Sequence, residues 1–277
     1  MQCIDFDQHF STYITQWMRE NGARYGNDMD RMEAQMPEVY LRWSNTPAPW
    51  LDGCVPALYF EQFDDADQLV AWLCDYLRQR TPVPDLLMER IVALGTAAEV
   101  RLDALLAEED APHEAVLTAI TLLRELSAVR PMPRYIAWIA ACPRADERAE
   151  MAAESLRDMG EAVVAPILAA LPGATAAAEE IFTDILCNYP GDERIFALAL
   201  RKFEECTHQR ALFASFLGKL GDPRAVPALT RATQAPETNY LDFVEIANAL
   251  EELGGEPPAA RDFENDPYYE SLKQVEP

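Results

Sequence analysis

The sequence repeats a two-helix pattern about every 32 residues, and this period constrains the fold more than any other feature. Six small residues that can end a helix mark the period, at separations of 32, 33, 31, 30 and 33 residues: Gly95, Ser127, Gly160, Gly191, Gly221 and Gly254. We call them anchors. One helix pair cannot bury its own apolar face, so repeated pairs must stack on their neighbours. The pattern predicts an all-α solenoid.

The residues that precede each anchor indicate a buried helix face. Positions one, four and eight before the anchor are apolar in five of the six cycles. These offsets lie on one face of an α-helix. The cycle at Gly191 fits worst, because Pro190, Cys187 and Thr183 hold these positions. We interpret that cycle as a degenerate repeat.

Prolines indicate where a further helix begins. Pro133, Pro166 and Pro227 each lie six residues after an anchor. The fixed φ of proline and its missing N–H are tolerated in the first turn of a helix. Each cycle is therefore predicted to contain a first helix, which ends at the anchor, a short turn and a second helix.

The segment Leu220 to Leu229, with the sequence LGDPRAVPAL, resembles the HEAT-like repeat of the short kind found in bilin lyase subunits. The resemblance covers residues 84 to 256. It implies a right-handed α-α superhelix of antiparallel helix pairs, whose second helices line the concave side and bind partners. It does not imply an enzyme, because related repeats serve in chromophore-attachment subunits, a metal-dependent hydroxylase and DNA-repair glycosylases.

The pattern divides the chain into three regions. Residues 1–80 are predicted to form a helical N-terminal capping region with a proline- and aromatic-rich loop at 44–63. Residues 81–256 are predicted to form about six helix pairs, and residues 257–277 an acidic C-terminal tail. This tail is interpreted as a frayed end or a last cap, or as a segment whose Asp266-Pro267-Tyr268-Tyr269 docks into the binding groove.

The loop at 44–63 has two interpretations. It can cover the exposed apolar face of the first repeat, as solenoids need capping units. Alternatively, Trp43, Trp50 and Tyr59 form a pocket for a partner peptide, since aromatic residues are enriched at binding hot spots. The sequence alone leaves both open.

Charge and composition limit the kind of partner. The chain has 23 basic and 47 acidic residues, and its formal net charge of −24 disfavours binding to nucleic acid. No apolar run is long enough to span a membrane. The six cysteines are isolated from one another, which is typical of reduced thiols, and the first seven residues lack the basic region of a secretory signal. We expect a soluble cytoplasmic protein.

Motifs that carry catalysis are nearly missing from the sequence. The three histidines show no zinc-binding spacing, and no glycine-rich phosphate loop occurs. Cys206 and His208 form the only local thiol–imidazole cluster, and residues two apart on a helix face different directions. We expect no catalytic residues, no metal and no cofactor.

The sequence favours a non-enzymatic scaffold or adaptor that binds a protein or peptide on its concave helical surface. The alternative is a lyase-like or other enzyme accessory subunit that binds a small molecule. The arginines of the second helices either recognise an acidic partner or form solvated ion pairs of small value. The candidate binding residues are Arg134, Tyr135, Trp138, Arg194, Arg201, Arg224 and Arg231, besides the pocket of Trp43, Trp50 and Tyr59.

Overall fold

The computed structural model describes residues 3–26 and 28–273, and all regular secondary structure within these ranges is helical. This confirms the all-α prediction, while the right-handed winding stays a prediction. The chain divides into two compact units, Met1–Pro131 and Met132–Pro277. The first two residues of the predicted cap, residue 27 and the last four residues of the predicted tail lie outside the described residues.

The first unit begins with three helices and a loop that differ from the repeat. Its described residues form α1 (Phe6–Asn21), α2 (Met29–Glu33), α3 (Met36–Ser44), α4 (Ala66–Gln79), α5 (Asp85–Ala93), α6 (Thr96–Leu105) and α7 (His113–Glu125). Short 3-10 helices lie at Gly22–Arg24, Pro49–Leu51, Pro56–Leu58 and Phe60–Gln62. The proline- and aromatic-rich loop is thus built of three such turns.

Side chains of α4 and α5 form hydrogen bonds with the backbone of two non-repeating segments of this unit. The hydroxyl of the buried Tyr76 on α4 donates to the carbonyl oxygen of Ile4 at 2.9 Å and accepts from the Ile4 N–H at 3.2 Å. On α5, Arg90 Nε donates to the carbonyl oxygen of Phe63 at 2.8 Å. Both ends of the segment before α4 are therefore held by side chains of later helices.

The second unit continues the alternation of first and second helices. It contains α8 (Met132–Ala141), α9 (Glu147–Asp158), α10 (Val164–Ala170), α11 (Ala176–Leu186), α12 (Glu193–Glu205), α13 (Arg210–Leu220), α14 (Val226–Gln234), α15 (Tyr240–Glu252) and α16 (Pro267–Lys273). Short 3-10 helices lie at Gly160–Val163, Leu171–Gly173, Thr207–Gln209 and Pro223–Ala225. The three prolines that follow anchors all lie in the first turn of a helix, as predicted.

All six anchors have the backbone conformation that ends a helix. Their φ angles are positive, from 53° at Ser127 to 102° at Gly191. The residues four and eight positions before the anchors each expose at most 1 % of their surface: Leu87, Ile91, Ala119, Leu123, Ala152, Leu156, Thr183, Cys187, Phe213, Leu217, Ile246 and Leu250. The cycle at Gly191 therefore keeps the buried face of the others despite its unusual residues.

An acidic side chain connects three successive first helices of the second unit. Asp184 on α11 accepts from Arg157 Nη2 on α9 at 2.5 Å and from Lys219 Nζ on α13 at 2.9 Å. Burial alone would raise the pKa of Asp184, but the hydrogen bonds from Lys219 and Arg157 outweigh burial and lower it. The three repeats are thus joined by a charge network as well as by apolar packing.

Candidate functional site

Two successive second helices of the second unit begin with the same turn, in which an aspartate caps the helix start and an arginine folds back on it. Asp192 Oδ1 accepts from the backbone N–H of Arg194 at 2.8 Å, and Asp222 Oδ1 accepts from that of Arg224 at 3.0 Å. The Arg194 guanidinium also pairs with Asp192 at 2.6 Å, and the Arg224 guanidinium pairs with Asp222 at 2.7 Å. The hydrogen bonds from Arg194 lower the pKa of Asp192 to about 2. The pattern Gly-Asp-x-Arg therefore builds a capped helix start.

Side chains of these turns and of the helices after them connect α12 with α14. Arg224 Nη1 lies 2.7 Å from Glu193 Oε2, and its guanidinium carbon lies 4.1 Å from the centre of the Phe196 ring. Near the other end of the two helices, Arg231 Nη2 lies 3.4 Å from Glu204 Oε1. The two second helices therefore present one continuous polar surface, which we call the α12–α14 face.

Four of the predicted binding residues share this face. Arg194 and Arg201 belong to α12, while Arg224 and Arg231 occupy the equivalent positions 30 residues later. Within each repeat the two arginines are seven residues apart, which is two helical turns or about 10 Å. The side chains of Arg194, Arg224 and Arg231 are 67, 53 and 70 % exposed. The structure thus brings these four arginines together as two repeated pairs.

The charge of the α12–α14 face is balanced rather than basic. Three of its arginines form ion pairs with Asp192, Asp222, Glu193 or Glu204. Arg201 is exposed, and its side chain makes no ion pair or hydrogen bond with any other described residue. Two of these pairs, Arg224 with Glu193 and Arg231 with Glu204, join residues of two repeats that lie 31 and 27 positions apart, and no periodicity of the sequence indicates them.

The other three predicted binding residues of the repeats lie on α8. Tyr135 is fully buried, so its ring has no surface that a partner can reach. Trp138 is half-buried, and the guanidinium carbon of Arg148 lies 4.8 Å from the centre of its ring. Arg134 is half-buried as well. These residues are less accessible than the arginines of the α12–α14 face.

In the first unit, Trp43, Trp50 and Tyr59 meet in an aromatic cluster. The Phe6 ring lies 5.2 Å from that of Trp50 and 5.8 Å from that of Tyr59, and Trp43 lies 6.4 Å from Trp50. Trp43 is buried, whereas Trp50 and Tyr59 are half-buried. The imidazole of His9 stacks on Trp50 at 3.9 Å. The three predicted residues are therefore neighbours, with Phe6 packed among them.

A further candidate site lies beyond the anchor Gly254, in the region predicted as a frayed acidic tail, a last cap or a segment that docks into the binding groove. Residues 255–266, which we call the strap, connect α15 to α16 and run back from the end of α15 to its start. The Gly255 N–H donates to the Leu250 carbonyl at 2.7 Å, and Asp266 Oδ2 accepts from the Tyr240 N–H at 3.0 Å. In the preceding cycles a second helix follows the first helix at this point.

The strap and α14 together line a groove with a volume of about 740 Å³. Its walls comprise Val226, Thr230, Thr233 and Gln234 of α14, Leu250 of α15, and residues 256–261 of the strap. Asp266 Oδ1 accepts from the backbone N–H groups of Tyr268 and Tyr269 and so caps α16, and an aspartate followed by Pro267 is a sequence signal for a helix start.

Residues 3–26 and 28–273 contain neither a metal-binding cluster of side chains nor a membrane-spanning helix. No group of three or more histidine, cysteine, aspartate or glutamate side chains is arranged to hold a metal ion there. Over the same ranges, no helix combines the length and the apolar character needed to cross a bilayer.

The comparison with known families agrees with the geometry of α13 and α14. Residues 209–234 match the PBS lyase HEAT-like repeat. This segment contains α13, the turn at Asp222 and α14, and so includes two of the four arginines of the α12–α14 face. No curated protein is significantly similar to the chain. The resemblance to HEAT-like repeats is thereby confirmed, and the fold and the match together define an all-α helical repeat protein.

Proposed function

We propose that this chain is a non-enzymatic interaction scaffold that binds a protein or peptide partner on the α12–α14 face. The observation that supports it most is the placement of Arg194, Arg201, Arg224 and Arg231 at equivalent positions of two adjacent repeats. Helical repeats of this kind commonly present such surfaces to partners.

The ion pairs on this face favour exchange with a partner. Exposed pairs between arginine and carboxylate contribute only about 0–1 kcal/mol, so a carboxylate of a partner can replace an internal one at little cost. Arg201 is available without such an exchange, because no other described residue pairs with it. The planar guanidinium group binds carboxylates through two parallel hydrogen bonds. The partner surface is therefore expected to carry acidic side chains spaced like the arginines.

Affinity capture with a charge-reversed variant tests this function. The variant Arg201→Glu/Arg231→Glu changes two exposed side chains, and Arg42→Glu/Arg78→Glu makes the same charge change in the first unit. The wild-type chain and the control should retain a stoichiometric partner from the native lysate, while the first variant should lose at least nine tenths of it. Equal retention by both variants, or no partner for the folded wild-type chain, would contradict the proposal.

A further inference from the structure

The strap is attached to its own repeat by a few side chains. Arg261 Nη1 donates to the carbonyl oxygen of Ala235 at 2.7 Å and to that of Thr233 at 3.4 Å, and its Nη2 donates to Pro236 at 2.8 Å. The carbonyls at the end of a helix have no partner within the helix. Arg261 therefore satisfies the end of α14 with a charged donor, which the helix dipole also favours.

An aromatic side chain provides the second attachment. Phe263 is only 6 % exposed, and its ring centre lies 5.3 Å from that of Tyr240 and 5.1 Å from that of Phe243. The Arg261 guanidinium carbon lies 5.1 Å from the same ring. Arginine and phenylalanine thus form one unit with the spacing Arg-x-Phe, seated on the end of α14 and the start of α15.

The main chain of residues 256–262, which leads up to Phe263, contributes no hydrogen bonds to the described residues. Most side chains of these residues are exposed. A segment held by side chains alone, and preceded by Gly254 and Gly255, is easier to displace than a helix or a paired strand.

The side of α14 that lies beside the strap has smaller side chains than the equivalent side of α12. It carries Val226, Thr230 and Thr233 where the equivalent positions of α12 carry Phe196, Leu200 and Phe203. The smaller and more polar side chains of α14 leave an open space of about 740 Å³ between α14 and the strap, so the strap does not fill the flank of this helix. They offer less apolar surface for a further packed helix.

From these contacts we propose that the surface of α14 and α15 beneath the strap is a peptide-binding site, and that the strap covers it as an intramolecular ligand. The ligand class is a non-helical segment of small or proline residues followed by the motif Arg-x-aromatic. Its arginine binds the carbonyls at the end of α14, and its aromatic ring enters the cluster of Tyr240 and Phe243. The strap takes up the arginine and aromatic contacts of this site until a partner segment replaces it. This site is separate from the four arginines of the α12–α14 face.

A peptide with the sequence of residues 255–269 tests the proposal on the full-length chain. The fluorescein-labelled peptide is titrated with the wild-type chain and with Arg261→Ala/Phe263→Ala, and binding is followed by fluorescence anisotropy. A tethered strap competes at an effective concentration of about 1 mM. The double variant should therefore bind the peptide at least tenfold more tightly than the wild-type chain.

A control peptide in which alanine replaces both the arginine and the phenylalanine should bind the double variant at least tenfold more weakly than the native peptide. Circular dichroism verifies that the variant is folded, and Arg261→Ala alone replaces it if the double variant unfolds. Equal binding of the two peptides, or no binding of the native peptide to a folded variant, would overturn the proposal. Equally tight binding of the native peptide to the wild-type chain would show that the strap does not compete.

Discussion

The guanidinium group of Arg224 lies over the ring of Phe196, with its central carbon 4.1 Å from the ring centre. Arg224 precedes α14, whereas Phe196 belongs to α12, so the contact joins two successive repeats. Arginine on an aromatic face combines electrostatic attraction with cover for the apolar ring. The same residue that marks the HEAT-like turn in the sequence therefore also packs the repeats together.

Replacing Phe196 should show how much its ring contributes to the stability of the protein, because the charged Arg224 stays in place. Phe196→Ala is expected to lower the free energy of unfolding by about 3 kcal/mol, because it leaves a cavity between buried side chains. Phe196→Leu should cost only about 1 kcal/mol, since it conserves most of the volume. Urea unfolding followed by circular dichroism measures both values. A loss below about 1 kcal/mol for the alanine variant would show that the ring does not pack between the repeats.

Removing the charge of Asp184 should lower the free energy of unfolding, because this side chain connects three repeats. Asp184→Asn is expected to cost about 2 kcal/mol at pH 7, because the carboxylate accepts from both Arg157 and Lys219. As the pKa is lowered in the folded chain, this stabilisation is present above the unfolded pKa of about 3.9 and is lost as the pH falls through the folded pKa.

Urea unfolding of the wild-type chain and of Asp184→Asn at pH 7 and at pH 3 measures this dependence. The difference between the two chains should be smaller at pH 3. A difference that stays constant or grows towards acid would contradict the assignment of the network to an ionised Asp184.

Ser127 is the anchor at which glycine should be the better residue. Its φ of 53° places a side chain in the left-handed region, which costs non-glycine residues about 1–2 kcal/mol. Glycine loses part of this advantage through the greater entropy of the unfolded chain. Ser127→Gly is therefore expected to stabilise the protein by about 0.5 kcal/mol in thermal or urea unfolding. Ser155→Gly, inside α9, is the matched control and should destabilise it.

The hydroxyl of Tyr76 should hold the segment before α1. Tyr76→Phe keeps the buried ring but removes both hydrogen bonds to Ile4, and is expected to cost about 1–2 kcal/mol. Hydrogen exchange of the backbone amide of Ile4 should become faster by at least tenfold, while exchange in α13 stays unchanged. Unchanged exchange at Ile4 would show that the segment is held by other contacts.

The six anchors could be predicted from the sequence because local chemistry determines them. A glycine or serine after an apolar helix face is recognisable within eight residues, and all six positions have positive φ in the structure. Thr183 and Cys187 weakened the pattern at Gly191, yet both are fully buried, since a small polar or thiol side chain packs as well as an aliphatic one when its neighbours fit.

The partners of the arginines and the position of the strap could not be predicted in this way. Arg224 pairs with Glu193 across 31 positions of the chain, and no periodicity indicates which of many acidic residues will lie nearby. Arg261 likewise binds carbonyls of a segment about 26 positions earlier. Pro257 and Pro258, which precede it, are typical of the end of a helix, but they contain no signal for what the following residues contact.

Hydrogen exchange of the chain with and without the partner that it captures shows most directly whether the α12–α14 face is the binding surface. Bound partner should slow exchange of amides in α12 and α14 by at least tenfold and leave α1 and α4 unchanged. Slower exchange confined to the first unit, around Trp43 and Trp50, with no change in α12 and α14, would contradict the α12–α14 face as the binding surface.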